Sequence, residues 1–71
     1  MAERDYTVII QPNAAEDGGG FVALVPDLPG CMSDGETREA AAWNASDAIF
    51  AWIEEAIRLG RVVPAPTQHV A

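Results

Sequence analysis

The stretch GGGFVALVPDLPGCMSDGET, residues 18–37, decides how this chain folds. Its apolar run, residues 21–25, follows three glycines and stops at Pro26, which cannot donate a hydrogen bond to a β-ladder. Pro29 and Gly30 fit the two central positions of a type II turn, because proline pre-sets φ at the first and glycine accepts a positive φ at the second. The stretch therefore predicts a strand that ends in a compact double turn around Asp27.

The residues on both sides of this double turn predict two further strands. Residues 31–33 form a short apolar segment that Asp34-Gly35 closes as a second turn. Upstream, residues 6–11, YTVIIQ, are β-branched and aromatic, and residues 12–20 are rich in turn formers. We expect three antiparallel strands, the first two joined as a hairpin.

One long helix follows the third predicted strand. Thr37 is a good N-cap, the helix should run over residues 38–59, and Gly60 is a fitting residue just beyond its C-terminus. The pattern leaves open whether a short fourth strand forms in residues 61–63 or in residues 67–70. The predicted class is α+β: a three-stranded antiparallel sheet with one long helix packed on one face.

The size of the chain limits what can stabilise it. Its 71 residues predict a single domain, residues 1–71, and a domain this small usually needs a disulfide, a metal or a partner chain. Cys31 is the only cysteine and His69 the only histidine, so an intramolecular disulfide is excluded and no metal-ligand spacing occurs. We therefore expect no metal, no cofactor, and stabilisation by a partner chain.

The charge of the chain restricts its partners. Eleven acidic and four basic residues give a net charge of −7, which repels nucleic acid and suits a basic protein partner, although acidity that serves solubility alone is the alternative. The N-terminus lacks the apolar segment of a signal peptide, and no apolar run reaches the ~20 residues of a membrane span. With a lone free cysteine, these features predict a cytoplasmic protein without membrane or direct DNA contact.

The predicted helix has two apolar sides. A helical wheel places six residues on the expected core side, with Trp52 filling the centre: Ala41, Ala45, Ala48, Trp52, Ala56 and Leu59. A second stripe, Trp43, Phe50 and Ile57, lies nearly opposite, flanked by Asp47 and Glu54. The strands are also apolar at successive positions, as strands covered on both faces are. We interpret the stripe as a contact to a partner or to further copies in a dimer or tetramer, against the alternative of ordinary exposed apolar residues.

Two features could carry chemistry. Asp27, Asp34 and Glu36 lie around the double turn and could hold a divalent metal or act as an acid–base pair, but tight turns select acidic residues at these places. Cys31 could act as a nucleophile with His69 as its base, but a small buried cysteine is the favoured interpretation. We predict no catalytic residue, and keep a metal-dependent nuclease as an alternative.

The segment from Tyr6 to about Pro66 resembles the HicB antitoxin family of bacterial and archaeal toxin–antitoxin systems in the order and spacing of its motif residues. The most specific part is the aromatic-Val-Ala strand followed by Pro-Asp-Leu-Pro-Gly-Cys at residues 26–31 and then by Gly35 and Thr37. Helical and C-terminal positions add to it: Glu39, Ala41, Asn44, Ala45, Ala48, Trp52, Pro64 and Pro66.

The resemblance implies a partial RNase H-like fold with a fourth strand, lacking the nuclease's full set of carboxylates. It also implies binding and neutralisation of HicA, a small basic toxin that cleaves mRNA. Many family members add a C-terminal DNA-binding domain, for which a chain that stops at Ala71 leaves no room, so the sequence is either a short HicB-like protein or a fragment. The hypotheses are therefore a HicB-like antitoxin without that domain, a stand-alone oligomeric accessory protein, and a metal-dependent nuclease.

Overall fold

The computed structural model describes residues 6–66 of the chain. Its elements, in chain order, are strand β1 (Ile9–Pro12), a 3₁₀ turn (Ala15–Asp17), strands β2 (Phe21–Leu24) and β3 (Met32–Gly35), and helix α1 (Arg38–Arg58). The three strands form one antiparallel sheet in the order β1-β2-β3, and α1 packs on one face of it. The α+β prediction of a three-stranded antiparallel sheet followed by one long helix is confirmed.

The strand boundaries differ from the predicted ones. β1 begins at Ile9 and not at Tyr6. β3 continues through Asp34 and Gly35, which were predicted as a closing turn, because these residues pair with Val22 and Phe21 of β2. Residues 61–63 form no strand, and residues 67–70, the other candidate for a fourth strand, lie outside the described residues.

The double turn has the predicted construction. The Leu28 N–H donates to the Val25 carbonyl at 3.1 Å, and the Cys31 N–H donates to the Leu28 carbonyl at 2.9 Å. Gly30 has φ +78°, as the third position of a type II turn requires. Because the Val25 N–H also donates to the Cys31 carbonyl at 3.1 Å, the two turns start β3 beside β2.

One residue of the double turn is part of the hydrophobic core. Leu28 is fully buried, whereas Pro26, Pro29 and Gly30 are exposed and Asp27 is half-buried. The first core cluster comprises Tyr6, Val25, Leu28, Cys31 and Ile49, and the second comprises Ala23, Ala41 and Ala45. The turn therefore contributes to the hydrophobic core through its leucine, and its prolines and glycine shape the backbone.

The prediction that Trp52 fills the centre of the core is wrong. Ile49 is the large helix residue in the centre, 1% exposed, while Trp52 packs against the cluster partly buried and Leu59 is 49% exposed. α1 approaches the sheet closely at its N-terminal end, where a Cβ on Gly35 would stand 2.5 Å from the Ala41 nitrogen. Trp52 lies at the rim, where its indole N–H donates to the Pro29 carbonyl at 2.9 Å.

Both predicted ends of the helix are confirmed to within a residue. Thr37 Oγ1 accepts a hydrogen bond from the Ala40 N–H at 3.0 Å, which caps the N-terminus. Gly60 has φ +72° and donates to the Ile57 carbonyl at 3.1 Å. The Arg61 N–H donates to the Ala56 carbonyl at 2.8 Å, which completes a Schellman motif.

Candidate partner-binding surfaces

The outer side of α1 carries three large apolar side chains. Trp43 is 76% exposed, Phe50 60% and Ile57 67%. They are seven residues apart, close to two helical turns, so they form one row along the helix. We call Trp43, Phe50 and Ile57 the outer stripe. Such a contiguous row on a small chain is typical of an interaction surface rather than of scattered apolar residues.

The two borders of the outer stripe differ in chemistry. Asp47 and Glu54 are exposed and lie on one border. Ile53 lies on the other border, partly buried, and packs against the first core cluster. The stripe therefore has an acidic border on one side and merges with the hydrophobic core on the other.

A second uncovered apolar surface lies on the sheet face opposite α1. Val8, Ile10 and Ala23 pack in the core beneath the helix, and side chains alternate along a strand, so the residues between them point away. Ile9 pairs with Leu24, and Leu24 pairs with Met32, which places these three in one row across the sheet. Together with Val22, we call this row the open sheet face; no element within residues 6–66 covers it.

The outer edge of β3 is partly covered by the helix. The Val25–Cys31 hydrogen bond fixes the alternation of the ladder, so the backbone groups of Met32 and Asp34 point away from β2. Asn44 of α1 donates its side-chain amide to the Asp34 carbonyl at 2.7 Å. Since this carbonyl is occupied, extension of the sheet by another strand along β3 is hindered there.

The residues proposed for metal chemistry are not brought together. Within residues 6–66, no group of three histidine, cysteine, aspartate or glutamate side chains could hold a metal ion. Asp34 lies on β3 and Glu36 just after it, whereas Asp27 lies in the double turn at the opposite end of that strand. The geometry therefore gives no support to a site formed by these three acids.

Cys31 has the environment of a structural cysteine. Its side chain is 6% exposed and belongs to the first core cluster. Desolvation by burial raises the pKa of the Cys31 thiol, which disfavours the reactive thiolate. His69, the suggested base, lies outside the described residues.

Comparison with known proteins identifies the family. The family model described as the HicB-like antitoxin of bacterial toxin–antitoxin systems matches residues 6–70. The chain belongs to this HicB-like antitoxin family. The match includes the strands, the double turn and α1, and therefore every residue of the outer stripe and of the open sheet face.

Individual relatives of this HicB-like chain have similar lengths or are longer. The UPF0150 protein Ta0767 of Thermoplasma acidophilum is 39% identical over 83% of this chain and 81% of its own length. The UPF0150 protein ssr1765 of Synechocystis is 40% identical over 84% of this chain and 72% of its own length. Antitoxin HicB 1 of Photorhabdus laumondii is 36% identical over 86% of this chain but only 37% of its own length.

The structure distributes the predicted site residues of this HicB-like chain over two regions. The outer stripe is exposed as one row, while Trp52 and the double turn, residues 26–31, lie together through the Trp52–Pro29 hydrogen bond. Leu28 and Ile49 are buried core residues that were not predicted as such, although a leucine between two prolines is a usable signal for a buried turn residue. No helix in residues 6–66 has the length and apolarity that crossing a bilayer requires.

Proposed function

We propose that this HicB-like chain is an antitoxin that neutralises a small basic mRNA-cleaving toxin of the HicA type through its outer stripe. The family match supports the antitoxin role. The observation that carries the choice of surface is the exposure of Trp43, Phe50 and Ile57 beside the carboxylates of Asp47 and Glu54. Under this proposal the chain acts by binding and not as an enzyme, in the cytoplasm, where mRNA is translated.

The chemistry of the stripe fits a basic protein that binds RNA. Large aromatic side chains provide most of the binding energy at protein interfaces once they are enclosed in a partner's pocket. Acidic side chains at the border of such a patch attract a basic surface and accelerate the encounter. A chain with net charge −7 would therefore cover the cationic groups with which a toxin holds RNA phosphates.

The test uses as partner the product of any gene for a small basic HicA-type protein that lies next to the gene for this chain. We expect the wild-type chain to bind it and to restore growth of cells that express it. Trp43→Glu with Phe50→Glu should lower the affinity at least ~100-fold, because two anchors of the proposed interface become charged. Circular dichroism should be unchanged, since both residues are exposed on a helix that accepts glutamate well.

The salt dependence of binding distinguishes the electrostatic part of the proposed contact from its apolar part. The association rate of the wild-type chain with the toxin should fall as salt rises, because Asp47 and Glu54 are exposed and their fields are screened. A double variant that keeps full affinity would exclude the outer stripe as the contact. Absence of any binding to such a toxin would contradict the antitoxin proposal itself.

A further inference from the structure

The outer stripe contains two recesses of the same construction. On an α-helix, residues i, i+3, i+4 and i+7 surround one depression in the helix surface, which is the hole of knobs-into-holes packing. The N-terminal recess is surrounded by Trp43, Ser46, Asp47 and Phe50, and the C-terminal recess by Phe50, Ile53, Glu54 and Ile57. Each recess therefore has large apolar side chains at both ends, an exposed carboxylate on one flank and a half-buried side chain on the other.

Neither recess carboxylate has a cationic partner within residues 6–66. The ion pair of α1 joins Arg58 to Glu55, with the Arg58 Nε donating to Glu55 Oε2 at 3.1 Å. Arg58 is also one turn from Glu54, at the spacing of a helix ion pair, but it is bound to Glu55 instead. Arg38 lies over the Phe21 ring, 4.8 Å from its centroid. Both arginines of α1 are thus engaged, and the recess carboxylates are available to a cation of a partner.

A lysine or arginine side chain matches the chemistry of such a recess. Its methylene stem can lie between the two large apolar side chains while its cationic head reaches the carboxylate on the flank. The rings of Trp43 and Phe50 can add a cation–π attraction to the same head. An aliphatic side chain in this place would desolvate the carboxylate without pairing it, which costs free energy. Each recess therefore favours a long cationic side chain.

The spacing of the recesses selects the structural element that carries these cations. Seven residues of α1 span about 10.5 Å, which is also the rise between residues i and i+7 of a second helix packed alongside. Side chains on one face of a strand recur about every 6.6 Å, so a strand cannot place equivalent side chains in both recesses.

We propose that the outer stripe binds a basic amphipathic helix of the partner, which places lysine or arginine side chains seven residues apart in the two recesses. This inference deepens the antitoxin proposal and rests on it in taking the outer stripe as the contact surface. It adds the element that the partner presents and the two positions at which that element is cationic.

The first experiment measures the binding of synthetic peptides to the full chain by NMR titration. The matching peptide is a lactam-constrained helix that carries leucines and two arginines seven residues apart. The control peptide has the same composition, but its arginines are five residues apart and lie on different sides of the helix. The matching peptide should bind at least ~tenfold more tightly and should shift the signals of Trp43, Phe50 and Ile57.

Two isosteric, charge-matched variants locate the effect. Asp47→Asn with Glu54→Gln neutralises the recess carboxylates, and Glu16→Gln with Asp17→Asn neutralises two exposed acids of the 3₁₀ turn. Each pair removes two negative charges, so the change in long-range attraction to a cationic peptide is similar. The recess variant should weaken binding of the matching peptide at least ~tenfold, and the turn variant less than ~threefold.

The inference is overturned if the matching peptide does not bind, if both peptides bind equally, or if the two variants lose equal affinity. These titrations contain no toxin, so their failure is distinguishable from failure of the antitoxin proposal, which toxin binding decides. With a HicA-type toxin that binds, the recess variant should raise the dissociation rate, whereas the turn variant should affect only association. A recess variant that leaves the dissociation rate of the toxin unchanged would also contradict the inference.

Discussion

The outer side of α1 carries larger apolar side chains than the inner side, which is the reverse of the usual arrangement in a surface helix. The inner side is mostly alanine, with one larger residue, Ile49, in the centre. The outer side carries the large residues Trp43, Phe50 and Ile57, each more than half exposed. An amphipathic helix normally turns its bulk toward the core.

Close approach of the helix to the sheet explains the inner side. Gly35 has no room for a Cβ, since one would lie 2.5 Å from the Ala41 nitrogen and 2.8 Å from the Ala40 Cβ. Ser33 Oγ donates to the Ala41 carbonyl at 3.1 Å, which ties the first turns of α1 to β3. Small inner residues therefore follow from the distance between the layers, while the outer residues are free to serve a partner. Three matched pairs of substitutions test this account of the helix packing.

The largest difference in stability should appear when isoleucine is replaced by alanine once on the inner side and once on the outer side of α1. Ile49→Ala should destabilise the fold by about 2–5 kcal/mol, because it removes a fully buried side chain from the centre of the core. Ile57→Ala should stay within about 0.5 kcal/mol, because Ile57 is 67% exposed. Urea denaturation followed by circular dichroism, at one protein concentration, measures both.

Because a small domain has little stability to lose, Ile49→Ala is measured in a stabilised background or at low temperature. The comparison stays valid there, since both variants share that background. Equal destabilisation by the two variants would mean that Ile57 is buried in solution, and the assignment of the two sides would then be wrong.

A smaller effect is expected where the helix meets β3. Gly35→Ala should cost about 1–3 kcal/mol, because the added methyl group must push α1 away from the strand. Gly30→Ala is the control: its cost, roughly 1–2 kcal/mol, comes from a positive φ, with no atom near the new methyl group. Thermal denaturation should rank the two in this order. If Gly35→Ala is neutral, α1 does not lie as close to the sheet as the inner alanines imply.

Local signals in the sequence were sufficient for the turns and the helix ends. Thr37 and Gly60 delimit the helix because capping depends on a few neighbouring residues. Pro29-Gly30 specified its turn for the same reason. Asp34-Gly35 was misassigned as a turn because its local preference is overridden by pairing with β2.

The surfaces were predictable in part. Seven-residue spacing was enough to find the outer stripe, because exposure opposite the core follows from helical periodicity. The central position of Ile49 was not predictable from the helical wheel, because the alanines and Trp52 were used to choose its core side. The actual rotation of α1 about its axis depends on how closely the helix approaches β3. The cover that Asn44 gives to the β3 edge likewise depends on tertiary contact and has no sequence signal.

The smallest expected effect concerns Trp52, at the border between the two sides of α1. Trp52→Phe keeps most of the apolar contact with the core but removes the hydrogen bond from the indole N–H to the Pro29 carbonyl, 2.9 Å long. That bond ties α1 to the double turn, and its loss should cost about 0.5–1.5 kcal/mol. Trp43→Phe is the matched control, with a change near zero, because Trp43 is 76% exposed. Urea midpoints measured by circular dichroism compare the two without relying on tryptophan fluorescence, which both variants alter. If the two variants are equally stable, the indole hydrogen bond contributes nothing, and only the packing of Trp52 holds the double turn against the helix.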